Sequence, residues 1–342
     1  MPRLSVSAVI PTYNRAHLVG RAILSALAAL APGDEVVVAD DGSTDETEAA
    51  IAPYRDRIRY LKLPHRGAGA TRNSGIEAAK GPLLAFLDSD DEWWPDKIAL
   101  HRAFHEARED VLFSFTDFGV KEEDGTEHRS FLHSWQDRPG DWNQMLGLPV
   151  PYSSVVALPA GRPDFGVRIG SMFLPELTEN YVATFTLLVR KDLAGDALRY
   201  ATDMPTCDDW ECFGRLARRG TAAFFATETA WQHGHAGPRI TRINTYVTAE
   251  ARLKILARVW GADPDFLLAH GDAYSRVVAE QHVVRARWLL RKGRGREARE
   301  ELRLAGGGPL SHRLLSWLPG PVTRGALRIL RGPPDDRTLE QG

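Results

Sequence analysis

The sequence predicts an α/β fold in which a mostly parallel, doubly wound sheet lies between layers of helices. Two features of residues 1–118 lead to this prediction. Short runs that are apolar throughout alternate with segments of helical spacing, as strands buried on both faces alternate with helices in such folds. Several of these runs also end in acidic or Gly-containing turns, and ligands of these folds bind beyond the carboxyl ends of the strands.

The elements can be placed in order along the chain. Apolar runs predict strands over 5–10, 36–39, 58–63, 83–87, 111–115 and 184–189, and helical spacing predicts helices over 16–30, 47–54, 68–79, 95–106 and 208–219. Between residues 119 and 177 the periodicity is lost, so we expect a loop-rich insertion that shapes a substrate cleft. Further helices are predicted over 249–260, 272–291 and 295–304. We therefore expect a domain over 1–244 and a helical, basic region over 245–342.

Composition excludes several classes of protein. The 342 residues include 43 Lys+Arg and 45 Asp+Glu, and the net charge of −2 argues against nucleic-acid binding through a basic field. Two cysteines form neither a disulfide framework nor a four-thiolate zinc site. The first residues lack the apolar stretch of a signal peptide and no apolar run is long enough to span a bilayer, so we expect a cytoplasmic globular protein.

Two acidic clusters follow predicted strands. Asp88, Asp90 and Asp91 place three carboxylates within four residues at a strand end, where they repel one another unless a cation sits among them. Hard oxygen donors of this kind suit Mg²⁺ or Mn²⁺, and the alternative is a solvated turn that caps the next helix. Asp40 and Asp41 either form a turn with the following glycine or bind a base or ribose.

Three other motifs allow a functional and a structural interpretation. The segment 67–72 fails as a dinucleotide fingerprint because Arg72 stands at its third glycine position, so Arg72 either contacts an anion or lies on the surface. Asp208 and Asp209 open a helix, either as capping residues or with Asp209 as a general base. His233 and His235 are either metal ligands or loop residues. His101 and His105, at positions 101 and 105 of a predicted helix, are expected on a solvated face.

The C-terminal region has a local basic bias. Residues 285–331 contain 12 Lys+Arg and 3 Asp+Glu, interspersed with apolar residues that include Leu314, Trp317 and Leu318. Such a segment either lies on an anionic membrane surface or presents a solvated basic face, and composition leaves both interpretations open.

Five blocks together resemble the inverting family-two glycosyltransferases, which have the GT-A fold. They are residues 9–15, 37–45, 69–76, 87–97 and 208–217, in the order in which the family carries them. The resemblance covers roughly residues 4–240. Each block is a weak signal alone, whereas the ordered set is specific.

The resemblance implies roles for individual residues. The donor-binding residues would be Pro11, Thr12, Tyr13, Asp40, Asp41, Arg72, Asp88 and Ser89, and the metal-binding residues would be Asp90, Asp91, His233 and His235. Asp209 stands where the family places its catalytic base, and Asp208 and Trp210 would lie on the acceptor side. The insertion over 119–177 matches no part of the family, and from its pattern alone we expect it to shape the acceptor side. The family commonly has Glu-Asp where this chain has Asp208-Asp209, which leaves open which of the two is the base.

The resemblance therefore implies metal-dependent, inverting transfer of a sugar from a nucleotide-diphosphate donor, with uridine diphosphate favoured. The acceptor would be a polysaccharide, a lipid-linked saccharide or a small molecule in surface polysaccharide or glycoconjugate synthesis. The basic region would allow peripheral contact with the inner face of the membrane.

Two alternatives remain at this point. A non-catalytic nucleotide-sugar-binding or scaffolding module would be free to lose the carboxylates that are present here. A sugar-1-phosphate nucleotidyltransferase would need a Gly-rich, Arg-containing loop after the first strand, where this chain has residues 11–14, Pro-Thr-Tyr-Asn.

Overall fold

The computed structural model describes residues 3–135, 140–235 and 244–323. The chain divides into an N-terminal unit, Met1–Asp203 with Asp208–Ala236, and a C-terminal unit, Met204–Cys207 with Gly237–Gly342. The domain boundary expected at residue 244 stays a prediction.

The N-terminal unit is built on one sheet. Its described strands are β1 (Val6–Thr12), β2 (Glu35–Asp40), β3 (Arg59–Lys62), β4 (Leu83–Phe86), β5 (Glu92–Trp93), β6 (Val111–Lys121), β7 (Glu127–His128), β8 (Val150–Pro151), β9 (Gly166–Gly170), β10 (Leu188–Arg190) and β11 (Thr221–His233). The order along the sheet is β3-β2-β1-β4-β10-β6-β11-β9-β8, with β5 paired to β11 and β7 paired to β6.

Helices cover the sheet. In the N-terminal unit they are α1 (Val19–Ala29), α2 (Thr47–Ile51), α3 (Ala68–Ala78), α4 (Lys97–Ala107), α5 (Leu132–Trp135), α6 (Trp142–Leu146), α7 (Lys191–Ala194) and α8 (Asp208–Arg219). Short 3₁₀ turns occupy 52–57, 152–154, 175–177, 184–186 and 195–197. Every residue of β1 and β4 is buried, which is why these strands are mostly apolar instead of alternating, with Ser7 and Thr12 of β1 as the polar exceptions.

The α/β class and the mostly parallel central sheet are confirmed. β1 runs parallel to β2 and β4, β2 parallel to β3, and β6 parallel to β11. The strand predicted over 184–189 is shorter than expected, because residues 184–186 form a 3₁₀ turn, and the remaining β10 runs antiparallel to both β4 and β6. The long β11 and the antiparallel β9 inside the insertion were not predicted from the sequence.

The expectation that His101 and His105 lie on a solvated face of α4 is wrong. Both side chains are fully buried and share Ser114, whose Oγ lies 2.7 Å from His101 Nδ1 and 2.8 Å from His105 Nε2. Lys97, one turn before His101, is also fully buried and donates from Nζ to the Thr186 carbonyl at 2.6 Å. Burial lowers the pKa of Lys97 and of both histidines, and so favours the neutral forms of these side chains.

The C-terminal unit is helical, as predicted. Its described helices are α9 (Thr245–Val259), α10 (Pro264–Arg291), α11 (Gly295–Leu304) and α12 (Leu310–Leu315). Apolar side chains of α10, α11 and α12 form a separate small core that includes Leu289, Leu290, Leu302 and Leu315. Within the described residues, no helix is both long and apolar enough to cross a membrane.

Candidate active site

The carboxyl ends of β1, β2 and β4 meet at one edge of the sheet. Thr12, which ends β1, lies opposite Asp40, which ends β2, in the parallel register. The Asp88–Asp91 turn follows β4 on the other side of β1. Because parallel strands end together, the fold brings both acidic clusters of the sequence to this edge.

A buried arginine joins three segments at this edge. Arg72 of α3 donates through Nη2 to Asp88 Oδ1 at 2.8 Å and through Nη1 to Asp208 Oδ2 at 3.0 Å. Its guanidinium carbon lies 5.2 Å from the centre of the Tyr200 ring. Burial alone would lower the pKa of Arg72, but Asp88 and Asp208 raise it, so the guanidinium stays charged. Arg72 is thus the counter-ion of two carboxylates that the sequence assigned to the site.

Asp209 follows in the first turn of α8. Burial, and after it the charge of Asp208, raise the pKa of Asp209 to about 6. Its Oδ1 accepts a hydrogen bond from the Trp210 amide at 2.8 Å, and its Oδ2 accepts one from Asn180 Nδ2 at 3.3 Å. A carboxylate with a pKa near the working pH is suited to proton transfer as a general base.

Two residues assigned to the acceptor side occupy other positions. Trp210 is buried, and its Nε1 donates to the carbonyl oxygen of Glu176 at 2.8 Å. Asp208 is turned towards Arg72. The assignment of Trp210 to an acceptor surface is therefore corrected: the large apolar indole packs into the core and anchors α8, which fixes the place of the neighbouring Asp209.

The four predicted metal ligands separate into two pairs of contacts. His235 Nε2 lies 2.8 Å from Asp90 Oδ2, whereas His233 Nε2 lies 2.9 Å from Glu92 Oε2. Asp91 Oδ1 accepts a hydrogen bond from the His233 amide at 3.2 Å. The structure thus brings Asp90 and His235 together and directs the His233 ring elsewhere.

Asp90 and His235 fit a divalent cation by their chemistry. Over the described ranges, no three His, Cys, Asp or Glu side chains cluster as a complete metal site. His235 Nδ1 is buried and has no hydrogen-bond partner within the described residues. A carboxylate oxygen and an imidazole nitrogen would be an incomplete ligand set, and diphosphate oxygens and water commonly complete such sets around Mg²⁺.

The carboxylates at the end of β2 accept hydrogen bonds from other groups of the protein. Asp40 accepts hydrogen bonds from Tyr60 Oη at 2.6 Å and from the Ser43 amide at 2.9 Å. Asp41 accepts hydrogen bonds from the backbone amides that follow residue 65, at 2.8 Å on Oδ1 and 2.9 Å on Oδ2. Both side chains are buried, so their observed role is to fix the loops at this edge.

The remaining donor-side residues lie in β1, directly after it and in the Asp88–Asp91 turn. Tyr13 is partly exposed and stacks on His65, with ring centres 4.3 Å apart. Thr12 Oγ1 is buried and has no hydrogen-bond partner in the part of the chain that the structure describes. Pro11 of β1 and Ser89 of the Asp88–Asp91 turn are also buried.

The contacts of Tyr200 and Ala201 with α3, on either side of Arg72, were not predicted from the sequence. Asn73 and Tyr200 exchange hydrogen bonds, with Asn73 Nδ2 donating to the Tyr200 carbonyl and the Tyr200 amide donating to Asn73 Oδ1, both at 2.8 Å. A Cβ atom on Gly69 would lie 2.1 Å from the carbonyl oxygen of Ala201, so only glycine permits this approach. The signal was present in the small residues that open α3, but their partner lies over 120 residues away.

Known proteins share sequence with the N-terminal part of this chain. The sequence model of glycosyl transferase family 2 matches residues 7–154. The putative teichuronic acid biosynthesis glycosyltransferase TuaG of Bacillus subtilis (strain 168) is 35% identical over 133 residues, which are 38% of this chain and 52% of TuaG. The succinoglycan biosynthesis protein ExoO of Rhizobium meliloti (strain 1021) is 47% identical over 95 residues, which are 27% of each chain. The chain thus spans about half of TuaG and about a quarter of ExoO.

Solved structures show the same fold at low sequence identity. S. aureus TarS 1-349 in complex with UDP-GlcNAc has a TM-score of 0.58 and 14% identity, over 94% of this chain and 88% of that one. The mannosyltransferase PcManGT of Pyrobaculum calidifontis, in complex with GDP-Man and Mn2+, has a TM-score of 0.54 and 18% identity, over 96% of this chain and 81% of that one. The fold is that of the GT-A glycosyltransferases. In sequence, residues 7–154 are similar to glycosyl transferase family 2.

Proposed function

We propose that this chain transfers a sugar from a nucleoside diphosphate donor to an acceptor hydroxyl, with inversion at the anomeric carbon. The observation that carries the proposal is Asp209, a carboxylate whose pKa is raised to about 6 beside Asp208, which is held by the same arginine as Asp88. A binding module would have no need for a carboxylate with the proton affinity of a general base.

The donor would lie along the strand ends, with its diphosphate near Asp90. We favour a UDP-sugar; the neighbours that resemble this fold were solved with UDP-GlcNAc and with GDP-Man. Asp90 and His235 are the residues that would hold Mg²⁺ or Mn²⁺. When bound, such an ion supplies Lewis-acid neutralisation of the charge on the diphosphate leaving group.

Asp209 would act on the acceptor. Its carboxylate would take the proton of the attacking hydroxyl while the acceptor oxygen forms a bond to the anomeric carbon. The bond from that carbon to the diphosphate oxygen breaks on the opposite face, and its electron pair leaves with the nucleoside diphosphate. Asp208 is not the preferred base because Arg72 holds it as an ion pair at 3.0 Å. One displacement of this kind inverts the configuration.

The acceptor would belong to surface polysaccharide or glycoconjugate synthesis. Relatives that carry the matching segment are named for teichuronic acid and succinoglycan biosynthesis, which supports a saccharide acceptor. A polysaccharide, a lipid-linked saccharide and a small molecule are all acceptors of this class, and a lipid-linked one would be met at a membrane surface. Cytoplasmic location stays a prediction.

The experiment is to incubate the full chain with Mn²⁺ and UDP-, GDP- and dTDP-sugars and to identify the released product. Release of a nucleoside diphosphate is expected, and Asp209→Asn should abolish release while nucleotide binding in a thermal-shift assay persists. Asp196→Asn, the same change on an exposed turn, is the matched control. Release of pyrophosphate from a sugar phosphate and a nucleoside triphosphate would instead identify a nucleotidyltransferase. Nucleotide binding with no turnover of any donor, with an acceptor extract present, would identify a binding module.

A further inference from the structure

The C-terminal unit concentrates exposed apolar side chains in one short segment. Five large hydrophobic residues are exposed between positions 310 and 322: Leu310, Leu314, Trp317, Leu318 and Val322. Leu310 and Leu314 lie four residues apart on one face of α12, and Trp317 follows directly, with 74% of its surface exposed. Isolated exposed apolar residues are common, but such a group indicates an interaction surface. We call these five residues the apolar ridge.

The charge around the apolar ridge is positive because nearby carboxylates are already paired. Between residues 285 and 323 there are three acidic residues, and all are in salt bridges: Glu297 with Arg294, Glu300 with Arg303, and Glu301 with Arg285. The basic residues of this stretch that are not used in those pairs include Arg287, Lys292, Arg296, Arg299 and Arg313. The surplus positive charge is therefore not neutralised by these acids.

Several of these cations stand beside the apolar ridge. The guanidinium carbon of Arg299 lies 4.2 Å from the centre of the Trp317 ring, and Arg313 is an exposed residue of α12 itself. Arg287 and Arg291 belong to α10, which packs against α12 through Leu289, Leu290 and Leu315. Burial, and after it the charges of these two arginines, lower the pKa of His312 in α12. Apolar and cationic side chains thus share one surface.

We propose that the apolar ridge and the basic residues around it form a docking surface for an anionic phospholipid bilayer. Exposed leucines and a tryptophan insert at the boundary of headgroups and acyl chains, while arginines contact lipid phosphates. A second copy of this surface is a poorer partner, because a symmetric contact would bring arginines against arginines. Nucleic acid would leave the apolar side chains exposed. The proposal goes beyond sugar transfer and does not depend on it.

The test is co-sedimentation of the full chain with vesicles, either of phosphatidylcholine alone or with about one third phosphatidylglycerol. Binding is expected to the mixed vesicles and to weaken at high salt. Leu314→Asp and Arg313→Glu should each weaken binding about tenfold or more, because each removes one of the two attractions. The matched controls are Leu268→Asp, on an even more exposed leucine at 89%, and Lys254→Glu, an exposed lysine of α9. Both controls should bind like the unmodified chain.

Three outcomes would overturn the proposal. One is no binding of the unmodified chain to mixed vesicles, and another is equal loss in Leu314→Asp and Leu268→Asp. The third is concentration-dependent self-association that Leu314→Asp abolishes, because this would make the apolar ridge an interface between copies. If Leu314→Asp lowers the melting temperature, Trp317→Ser replaces it as the test of the apolar ridge and should weaken vesicle binding in the same way. None of these measurements needs a sugar donor, so failure here and failure of the proposed transferase activity are distinguishable.

Discussion

Two of the pairs of adjacent aspartates in the N-terminal unit, Asp40-Asp41 and Asp208-Asp209, differ in their hydrogen-bond and ion-pair partners. Asp40 and Asp41 follow β2 and have each oxygen engaged by a hydrogen-bond donor of the protein. Asp208 and Asp209 open α8, where Asp208 is ion-paired and Asp209 is desolvated next to it. Identical residues at the ends of elements can therefore differ in role: the first pair fixes loops, whereas we propose proton transfer for Asp209 of the second pair.

The largest expected effect is on catalysis and comes from the second pair. Asp209→Asn keeps the size of the side chain and removes the proton acceptor, so kcat should fall by about 10²–10⁴-fold. The melting temperature should be unchanged or higher, because a buried charge beside Asp208 is lost. Steady-state kinetics, with the donor that the product assay selects, measure kcat, and a thermal melt measures the melting temperature. A kcat equal to that of the unmodified chain would exclude Asp209 as the base.

The next largest effect is on nucleotide affinity and comes from the Asp88–Asp91 turn. Asp90→Ala removes the carboxylate that contacts His235 at 2.8 Å, and metal-dependent nucleotide affinity should fall by roughly 10–100-fold, the scale found for altered metal shells. Titration calorimetry with UDP at fixed Mn²⁺ measures the change. Glu92→Gln is the control, because Glu92 contacts His233 and lies outside this pair. Equal losses in the two variants would mean that the acidic loop acts as a whole.

A smaller effect is the dependence of kcat/KM on pH. The pKa of Asp209 is raised to about 6, and a base must be deprotonated to accept a proton. The rate should therefore rise with pH up to about 6, then level, and should fall about tenfold for each pH unit below it. A pH profile over this range measures the inflection. Residual activity of Asp209→Asn should not show it, and an unshifted inflection near pH 4 would contradict the assignment.

The smallest effect is on stability and comes from the first pair. Tyr60→Phe removes the hydroxyl that donates to Asp40 at 2.6 Å and leaves a buried carboxylate oxygen unpaired. The free energy of unfolding should decrease by about 1–3 kcal/mol, and kcat with saturating donor should change little. Urea denaturation and initial rates test this contrast. A loss of kcat without a loss of stability would show that the first pair acts in the reaction.

The sequence was most informative where candidate site residues directly follow buried apolar strands. β1, β2 and β4 were predicted because each is a buried apolar run, and the carboxylates that follow two of them could be placed at one sheet edge by topology alone. Asp209 was a candidate base from its place at the start of a predicted helix, and the resemblance favoured that role over capping.

Long-range contacts were beyond such reasoning. Nothing near Arg72 in the sequence indicates that Asp208, 136 residues later, accepts its hydrogen bond. His101 and His105 have the spacing of an exposed helical face, and their burial depends on Ser114 of the neighbouring β6. Trp210 was misplaced because a tryptophan beside a catalytic carboxylate can face either substrate or core, and only its partner on Glu176 decides between them.

The close approach at Gly69 has a mechanical consequence. At Gly69, α3 lies against the backbone of Ala201. Asn73 exchanges hydrogen bonds with Tyr200, and Arg72 forms an ion pair with Asp208, so α3 is held at three positions. Because contacts hold α3 at three positions, we expect α3 to move together with the start of α8, which carries Asp209. Spin labels on α3 and α8 should therefore keep one narrow distance distribution with and without nucleotide, and rearrangements during turnover must occur elsewhere in the molecule.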